Sequence, residues 1–322
     1  LIFYKDAETA YKSFQSGQVD NVPVPAADNA AAQADFAEYQ TAPQLSNEYV
    51  AMNYLYKPFD NIDIRQAFDL AINRDTIAQN IEKGQVTPSC HIVPKGMPGY
   101  DANLQCPGGA PTKGDPTKAK QLFTAGMAQE GLTLATFPSI TYTYPSGSAA
   151  RADIATTMIQ EWQSVLGVSV KSQAVDFSTL IANTTATTCQ TPTNPSACLN
   201  KGLQMWSLGW IADYPDPQDW TTLQFDNGAA NNNSNYGQNL SSDAATQVQT
   251  QKQLEAADNN LGSNRMAQYN KAEQQLVNDV AWMTLYQSTS VNLVRKDVQG
   301  VVLNAQGVTP PDDWANIYIS VH

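Results

Sequence analysis

The tract WSLGWIADYPDPQDW, residues 206–220, constrains the fold more than any other part of this sequence. An apolar run rich in aromatic residues, typical of a β-strand, passes directly into a loop that contains Pro215 and Pro217. Because proline fixes φ and has no backbone N–H, regular structure is predicted to end there. Asp213 directly follows the predicted strand and can lie beside aromatic side chains. This combination predicts a site for a cationic or amphipathic small ligand.

Two interpretations stay open for several residues of this tract. Asp213 either pairs with an ammonium group of a ligand or caps a turn or the next helix. Trp206 and Trp210 share one face of the predicted strand, where they either line a site or belong to the core. Asp216 is predicted to cap the segment that follows it.

Composition limits the class of protein. A chain of 322 residues can bury a sizeable core and is predicted to contain two lobes or subdomains. The net charge of -12 argues against nucleic-acid binding, which needs clustered Lys and Arg. No run approaches the roughly 20 apolar residues of a membrane span. No signal segment is present, so we expect any targeting peptide to lie outside this sequence.

The four cysteines are Cys90, Cys106, Cys189 and Cys198. Of the three possible pairings, their even number and local spacing favour Cys90–Cys106 and Cys189–Cys198, each closing a short loop. A zinc site is disfavoured, because there is no Cys-x-x-Cys and only His91 lies near a cysteine. These observations predict a secreted, periplasmic or cell-surface protein without a metal or other cofactor.

Strand and helix patterns alternate along the chain and predict a mixed α/β layer architecture. Strands are predicted at residues 1–4, 47–54, 140–144, 168–175, 282–287, 291–295 and 300–304, with apolar alternation over 314–321. Helices are predicted at residues 6–17, from a cap at Asp60 or Asn61 to 72, at 75–84, from a cap at Asp115 to about 127, and at 154–166, 242–259 and 263–280. The long connection 87–114 is expected to be tied by Cys90 and Cys106.

The sequence offers little for catalysis. His91 and His322 are the two histidines, and no Gly-x-Ser-x-Gly, phosphate-binding glycine loop or His-Glu-x-x-His occurs. Asp213 and Asp216 could serve as the acid and base of a glycosidase, but carboxylates at this spacing in a proline-rich loop are common turn caps. The spacing also differs from that of calcium-binding loops. We therefore expect a binding protein and not an enzyme.

Five segments, in chain order, match the pattern of one protein family. They are AETAYKSFQSGQVD, NYLYKPFDNIDIRQAFDLAINRDTIAQNIEKGQVTP, VPKGMPGYD with DPTKAKQLFTAG, GWIADYPDPQDW, and NRMAQYNKAEQQLVNDVAWMTLYQ. Together they resemble the extracellular solute-binding proteins of peptide-type ABC transporters, family 5, which includes the dipeptide- and oligopeptide-binding proteins. The resemblance covers nearly the whole chain.

The resemblance implies a fold like that of the type II periplasmic binding proteins. Residues 46–287 would form lobe II, the ligand-binding α/β lobe, essentially complete. Residues 1–45 would be part of lobe I, and residues 288–322 would return to it, with the two crossings acting as hinge strands. Nothing in the sequence matches the family's long N-terminal portion, so the resemblance implies a C-terminal fragment.

The resemblance also implies a function. Such proteins are substrate-binding components of ABC importers that close two lobes around a peptide and deliver it to permease subunits. A monomer is implied, in the periplasm or lipid-anchored at the extracellular face of the membrane. The Asp of the family's Trp-x-Ala-Asp-Tyr motif contacts the peptide amino terminus, a role that maps onto Asp213, with Trp210 and Tyr214 matching beside it and Trp206 on the same strand. A cello-oligosaccharide or a nickel complex is the alternative ligand, and a secreted glycoside hydrolase is the alternative class.

Overall fold

A computed structural model describes residues 2–190, 194–307 and 311–320. Helices and strands alternate as expected. The helices are α1 (Ala7–Gln15), α2 (Asn29–Asp35), α3 (Ile62–Leu70), α4 (Arg74–Thr76), α5 (Pro116–Gln129), α6 (Ala149–Leu166), α7 (Phe177–Thr187), α8 (Thr222–Phe225), α9 (Ala244–Asp258), α10 (Arg265–Asn278) and α11 (Pro311–Trp314). The strands are β1 (Asn21–Pro23), β2 (Tyr39–Met52), β3 (Val86–Pro88), β4 (Ile140–Pro145), β5 (Val170–Val175), β6 (Met205–Ile211), β7 (Met283–Val294), β8 (Val298–Gln299) and β9 (Tyr318–Ile319).

A seven-stranded mixed sheet forms the centre of the molecule. Its strand order is β1-β7-β2-β6-β4-β5, and β3 also pairs with β7. Strand β4 runs parallel to β5 and β6, whereas the pairs that involve β2 or β7 are antiparallel. The parallel trio therefore ends at one common edge of the sheet, a feature that positions the candidate site.

Helices cover both faces of the sheet, and adjacent residues of β6 point into different cores. Met205 belongs to the core on the side of α3, α5 and α6, where the Trp162 indole donates a 2.9 Å hydrogen bond to Phe68 O. Trp206 belongs to the core on the side of α8, α9 and α10. Alternation along a strand with both faces buried explains why this segment reads as continuously apolar.

A third apolar cluster lies around α1 and is joined to the other two by β2 and β7. Its buried members are Ala10, Tyr11, Phe14, Val22, Val24, Ala32, Val291 and Leu293. Strands β2 and β7 pair over most of their length, with an irregular register between Pro43 and Asn47. The expected lobe boundaries, after residues 45 and 287, fall inside these two strands. The division into lobes stays a prediction.

Several helix ends follow from local side-chain chemistry. The Asn61 side chain accepts a hydrogen bond from the Ile64 N–H at the start of α3, and Asp115 caps α5 in the same manner. Helix α6 ends at Gly167, whose φ of 75° is left-handed. Of the two alternatives Asp60 and Asn61, the structure selects Asn61 as the cap of α3, and the cap predicted at Asp115 is confirmed.

Some predicted elements are wrong. Residues 2–4 and 300–304 are not strands, and Phe3 is 95% exposed. Among the described strands, none pairs with either segment. The two strands predicted at 282–287 and 291–295 form the single strand β7. The helix predicted at residues 75–84 is confirmed as helical backbone, but it is the short α-turn Arg74–Thr76 continued by the π-helical turn Ile77–Ile81.

The sequence patterns also missed elements. Strand β1 and helix α2 lie in the Ala- and Asn-rich stretch before Pro43, and α7 has a Thr-rich sequence without a strong apolar stripe. The predicted alternation over 314–321 contains the last residue of α11 and strand β9, while residues 1, 321 and 322 lie outside the described part. These elements are held by tertiary contacts that a local pattern does not encode.

Both predicted disulfides are confirmed. Cys90 pairs with Cys106 at a Cα–Cα distance of 5.5 Å, and Cys189 pairs with Cys198 at 5.7 Å. The first bond closes most of the long connection between β3 and α5. Over the residues that the structure describes, no helix is long and apolar enough to cross a membrane.

Candidate ligand-binding site

The carboxyl ends of β4, β5 and β6 meet at one edge of the sheet. In α/β proteins, ligands bind in the crevice outside the carboxyl ends of parallel strands, where loops rather than helices present their side chains. The tract 212–220 continues from β6 at this edge, so topology alone makes it a candidate site. A cavity of about 600 Å³ lies instead among polar side chains of α9 and α10. We favour the edge because it brings a carboxylate and aromatic groups together.

Asp213 is exposed directly after β6 ends. Buried Ala212 donates its N–H to Leu45 O at 2.9 Å, which fixes the end of the strand. The Asp213 N–H donates to Asp219 Oδ2 at 3.0 Å. Within the described residues the Asp213 carboxylate has no hydrogen-bond or ion-pair partner, so it does not cap a turn here. It is left available to a ligand.

The three aromatic candidates occupy different environments. Trp206 is 1% exposed and packs in the core, so the structure favours the core interpretation for this residue. Trp210 is half-buried and packs against the edge of the same core. Tyr214 is 36% exposed and donates its hydroxyl to Gln218 Oε1. Burial, and to a smaller extent the nearby carboxylates, raise the pKa of Tyr214 to about 12, so its hydroxyl group stays neutral.

Asp216 is engaged twice. It accepts the Gln218 N–H at 3.0 Å and caps the 3-10 turn Pro217–Asp219, which confirms the predicted cap. Arg265 Nη1 and Nη2 donate to its two oxygens at 2.7 and 2.8 Å. Partial burial acts to raise the pKa of Asp216, but the hydrogen bonds from Arg265 and Gln218 outweigh it and lower the pKa. A paired carboxylate of this kind does not suit the acid or base role in a glycosidase.

Asp219 is the buried carboxylate of the tract. Its side chain is completely buried, and burial raises the pKa to about 6 despite hydrogen bonds from the tract backbone. Oδ2 accepts the Asp213 N–H, whereas Oδ1 has no partner in the part of the chain that the structure describes. The sequence does not predict a role for Asp219, since a third aspartate in a proline-rich loop gives no signal of burial.

The tract also packs against the disulfide-closed segment. Gly99 lies on Pro217 so closely that an added Cβ would stand 2.8 Å from Pro217 Cγ. Its φ of +82° also favours glycine. The contact joins the loop closed by Cys90–Cys106 to the loop that carries Asp213.

Buried polar side chains hold the start of that segment. Asn47 on β2 donates to His91 O and Ile92 O at 3.1 and 2.8 Å. Glu273 on α10 accepts the N–H groups of Ile92 and Val93 through Oε1, at 3.1 and 2.9 Å. Burial raises the pKa of Glu273 to about 8. The segment is therefore fixed to both the sheet and α10.

A cavity of about 550 Å³ lies on the opposite face of β2, between the α1 cluster and the start of α6. Arg151 and Glu48 form an ion pair in its wall, with 3.7 Å between Nε and Oε1. Burial raises the pKa of Glu48, and Arg151 opposes this shift. Gly209, opposite Glu48 in the sheet, leaves room for the carboxylate, because a Cβ there would stand 2.8 Å from Oε2. Neither member of this pair is predicted from the sequence.

Residues 1–232 match the family model of bacterial extracellular solute-binding proteins, family 5 (middle region), and the chain belongs to this family. It is 23% identical over 314 residues to the oligopeptide-binding protein OppA of Bacillus subtilis, covering 95% of this chain and 52% of that protein. It is 26% identical over 303 residues to the dipeptide-binding protein DppE of the same organism, covering 94% and 51%. The chain thus spans about half the length of these curated relatives.

Solved structures share the fold. The murein tripeptide binding protein MppA of Escherichia coli superposes with a TM-score of 0.78 at 22% identity, covering 99% of this chain and 57% of that one. The oligopeptide-binding protein AppA of Bacillus subtilis, in complex with a nonapeptide, gives a TM-score of 0.77 at 18% identity, covering 99% and 59%. The predicted fold class is confirmed, and the family is one of binding proteins rather than enzymes.

Proposed function

We propose that this chain captures peptides as part of the substrate-binding component of an ABC importer and delivers them to the permease subunits of that importer. The protein acts outside the cytoplasm, either in the periplasm or held by a lipid anchor. Membership of an extracellular solute-binding family supports this proposal, as do relatives named for binding oligopeptides and dipeptides. Two disulfides fit an oxidising compartment.

The observation that carries the proposal is the free carboxylate of Asp213 at the carboxyl edge of the parallel strands. Its position beside Trp210 and Tyr214 offers one negative charge next to aromatic surface. The amino-terminal ammonium group of a peptide would donate to Asp213, and the first side chain would contact the rings. A charge-assisted hydrogen bond is stronger in a site from which water is excluded, so closure over the ligand would strengthen it.

The same observation favours a peptide over the alternatives. A neutral oligosaccharide would use the aromatic surface but would leave the Asp213 charge without a partner. For a nickel complex, the described residues contain no cluster of three metal-ligating side chains. For a glycoside hydrolase, the second carboxylate, Asp216, is occupied by Arg265.

The test is calorimetric titration of the complete protein with dipeptides and tripeptides, free or acetylated at the amino terminus. Asp213→Asn is expected to weaken binding of free peptides roughly 30-fold or more, the scale of losing a desolvated charge partner. The matched control is Asp35→Asn at the exposed end of α2, which should bind as the wild type does. Equal affinity of the wild type for free and acetylated peptides would remove the role of Asp213. Binding of cello-oligosaccharides alone would support the other ligand class.

A further inference from the structure

Two buried polar atoms close to the Asp213 loop lack hydrogen-bond partners among the described residues. Asp219 Oδ1 is a buried acceptor and Trp210 Nε1 a buried donor, and neither has a partner within the described ranges. The Trp210 indole lowers the pKa of Asp219, although the two side chains form no hydrogen bond with each other. The other oxygen, Oδ2, already accepts the Asp213 N–H.

We propose that Asp219 is a positioning residue for Asp213, and that its ionised carboxylate both fixes the Asp213 backbone and adds negative charge behind the site that receives a cationic group. This inference rests on the proposed function, because it assigns the internal support and the pH dependence of that same site. Asp219 does not touch the ligand.

The geometry of the loop supports the role of Asp219 in fixing the Asp213 backbone. Asp213 and Asp219 stand at the two ends of a loop whose middle, Pro217, is buried against Gly99. A 3.0 Å hydrogen bond across the loop therefore sets the backbone direction at Asp213. Asp219 thus holds the Asp213 backbone, while the Asp213 side chain is exposed at the end of β6. Preorganisation of this kind lowers the ordering cost of binding.

The charges around Asp219 support its role in adding negative charge behind the site. Asp213 is the charged group that acts on Asp219, and the neighbouring Tyr214 is acted on by Asp213, Asp216, Asp219 and Asp258. On α10, Arg265 and Tyr269 face Asp216 and Asp258. The guanidinium of Arg265 is paired with Asp216, and Asp219 forms no ion pair with any described residue. Because no described cation pairs with Asp219, its negative charge adds to that of Asp213.

The pH dependence follows from these surroundings. Burial raises the pKa of Asp219 to about 6, and the charge of Asp213 acts in the same direction. A cation bound at Asp213 favours the ionised form of Asp219, so binding must release a proton in this pH range. Conversely, protonation of Asp219 removes a charge and weakens the acceptor for the Asp213 N–H, so affinity must fall as the pH drops below 6.

The experiment titrates the complete protein with a dipeptide at pH 6, in two buffers of different ionisation enthalpy. The wild type should release a fraction of a proton on binding, and its affinity should fall about fivefold between pH 7.5 and 5, the effect over this range of a one-unit pKa shift. Asp219→Asn should bind about tenfold more weakly at pH 7.5, with neither proton release nor pH dependence. The control Asp226→Asn removes another carboxyl of raised pKa that lies outside the tract, and should retain both.

A second measurement needs no ligand. Protonation of a carboxyl group beside an indole changes its emission, so the wild-type fluorescence should titrate near pH 6 and should lose this step in both Asp219→Asn and Trp210→Phe. A wild type that binds no peptide would overturn the proposed function, while the fluorescence step would still support the Asp219–Trp210 contact. Peptide binding without proton release, or an unshifted emission, would overturn the role of Asp219 even if the Asn variant failed to fold.

Discussion

Arg265, the first residue of α10, donates two parallel hydrogen bonds to Asp216, with Nη1–Oδ2 at 2.7 Å and Nη2–Oδ1 at 2.8 Å. The pair joins the candidate site to a helix 49 residues further along the chain. Its side chains are 20% and 30% exposed, so solvent screens the pair only in part. This bidentate contact and the packing of Pro217 on Gly99 hold the loop that presents Asp213.

The first prediction concerns the geometry of this pair. Arg265→Lys keeps the charge but loses the planar fork, so we expect the free energy of unfolding to fall by about 1 kcal/mol. A double-mutant cycle with Asp216→Asn, measured by urea denaturation near pH 7, should give a coupling energy of similar size. The coupling is expected to be present above the ordinary pKa of Asp216, 3.8, and to vanish as the pH falls through the lowered pKa in the folded state.

A second ion pair serves as its control. Arg295 and Asp20 are 3.7 Å apart, and the aspartate is 55% exposed. The same cycle on that pair should give a coupling energy near zero. Equal coupling energies for the two pairs would contradict the importance of the bidentate geometry.

The second prediction concerns Gly99. Gly99→Ala should lower the free energy of unfolding by about 2 kcal/mol and weaken peptide binding, because a Cβ would meet Pro217 and Met266 at 2.8 and 3.0 Å. Gly131→Ala is the matched control: Gly131 has a φ of +64° but no atom within 4 Å of its added Cβ. It should show only the cost of the left-handed backbone, about 1 kcal/mol, and unchanged binding. Thermal unfolding and calorimetry of both variants separate the steric effect from the backbone effect.

The third prediction concerns Glu273 and pH. Its pKa is about 8 in the folded protein, above its ordinary value of 4.5, so the folded state holds a proton that the unfolded state releases. The stabilisation is fully present below pH 4.5 and is lost as the pH rises to about 8. In Glu273→Gln the amide oxygen still accepts from Ile92 and Val93, but the titration is gone. The loss of stability between pH 5 and 8 should therefore be smaller in this variant by an amount on the order of 1 to 3 kcal/mol.

Denaturant unfolding at several pH values measures this difference. Glu255→Gln, at an exposed position on α9, is the control and should follow the wild-type pH profile. If Glu273→Gln also follows that profile, the Glu273 carboxyl group does not hold a proton in the folded state at neutral pH.

The fourth prediction compares the disulfides. The cysteines of Cys90–Cys106 are 16 residues apart, and those of Cys189–Cys198 are 9 apart. Replacing the first pair by serine should cost about 3 kcal/mol through loop entropy, and replacing the second about half a kcal/mol less. Removal of the first should also weaken peptide binding, because Gly99 lies in the loop it closes and packs on Pro217. Loss of binding only on removal of the second would contradict this link.

The sequence predicts those elements whose signals are local. The stripe of α3, the caps at Asn61 and Asp115 and the strand β4 all follow from spacing or from a capping side chain next to the helix. Helix α7 and strand β1 are not predicted from the sequence, because neither has a strong apolar pattern. Both gain their stability from neighbours distant in sequence. The strand predicted at the start of the chain is wrong over residues 2–4, because β-propensity cannot form a strand without a partner.

The candidate site was predicted in part for the same reason. Asp213, Trp210 and Tyr214 are close in sequence, so a short motif can mark them. Arg265 lies on another helix, and its contact with the tract exists only because that helix packs beside the loop. Whether Trp206 lies in a cleft or in the core depends on which helices cover its face of the sheet, and a strand pattern does not say this.

The sequence by itself determined the alternation of strands and helices and the order of five family motifs, and it favoured the observed disulfide pairing, because these depend on neighbours along the chain and on local spacing. The tertiary structure decided the different states of the three tract aspartates. Asp213 is exposed and unpaired among the described residues, Asp216 is bound to Arg265, and Asp219 is buried. Identical side chains differ in charge and availability because burial and distant partners set them, and those arise only when the chain folds.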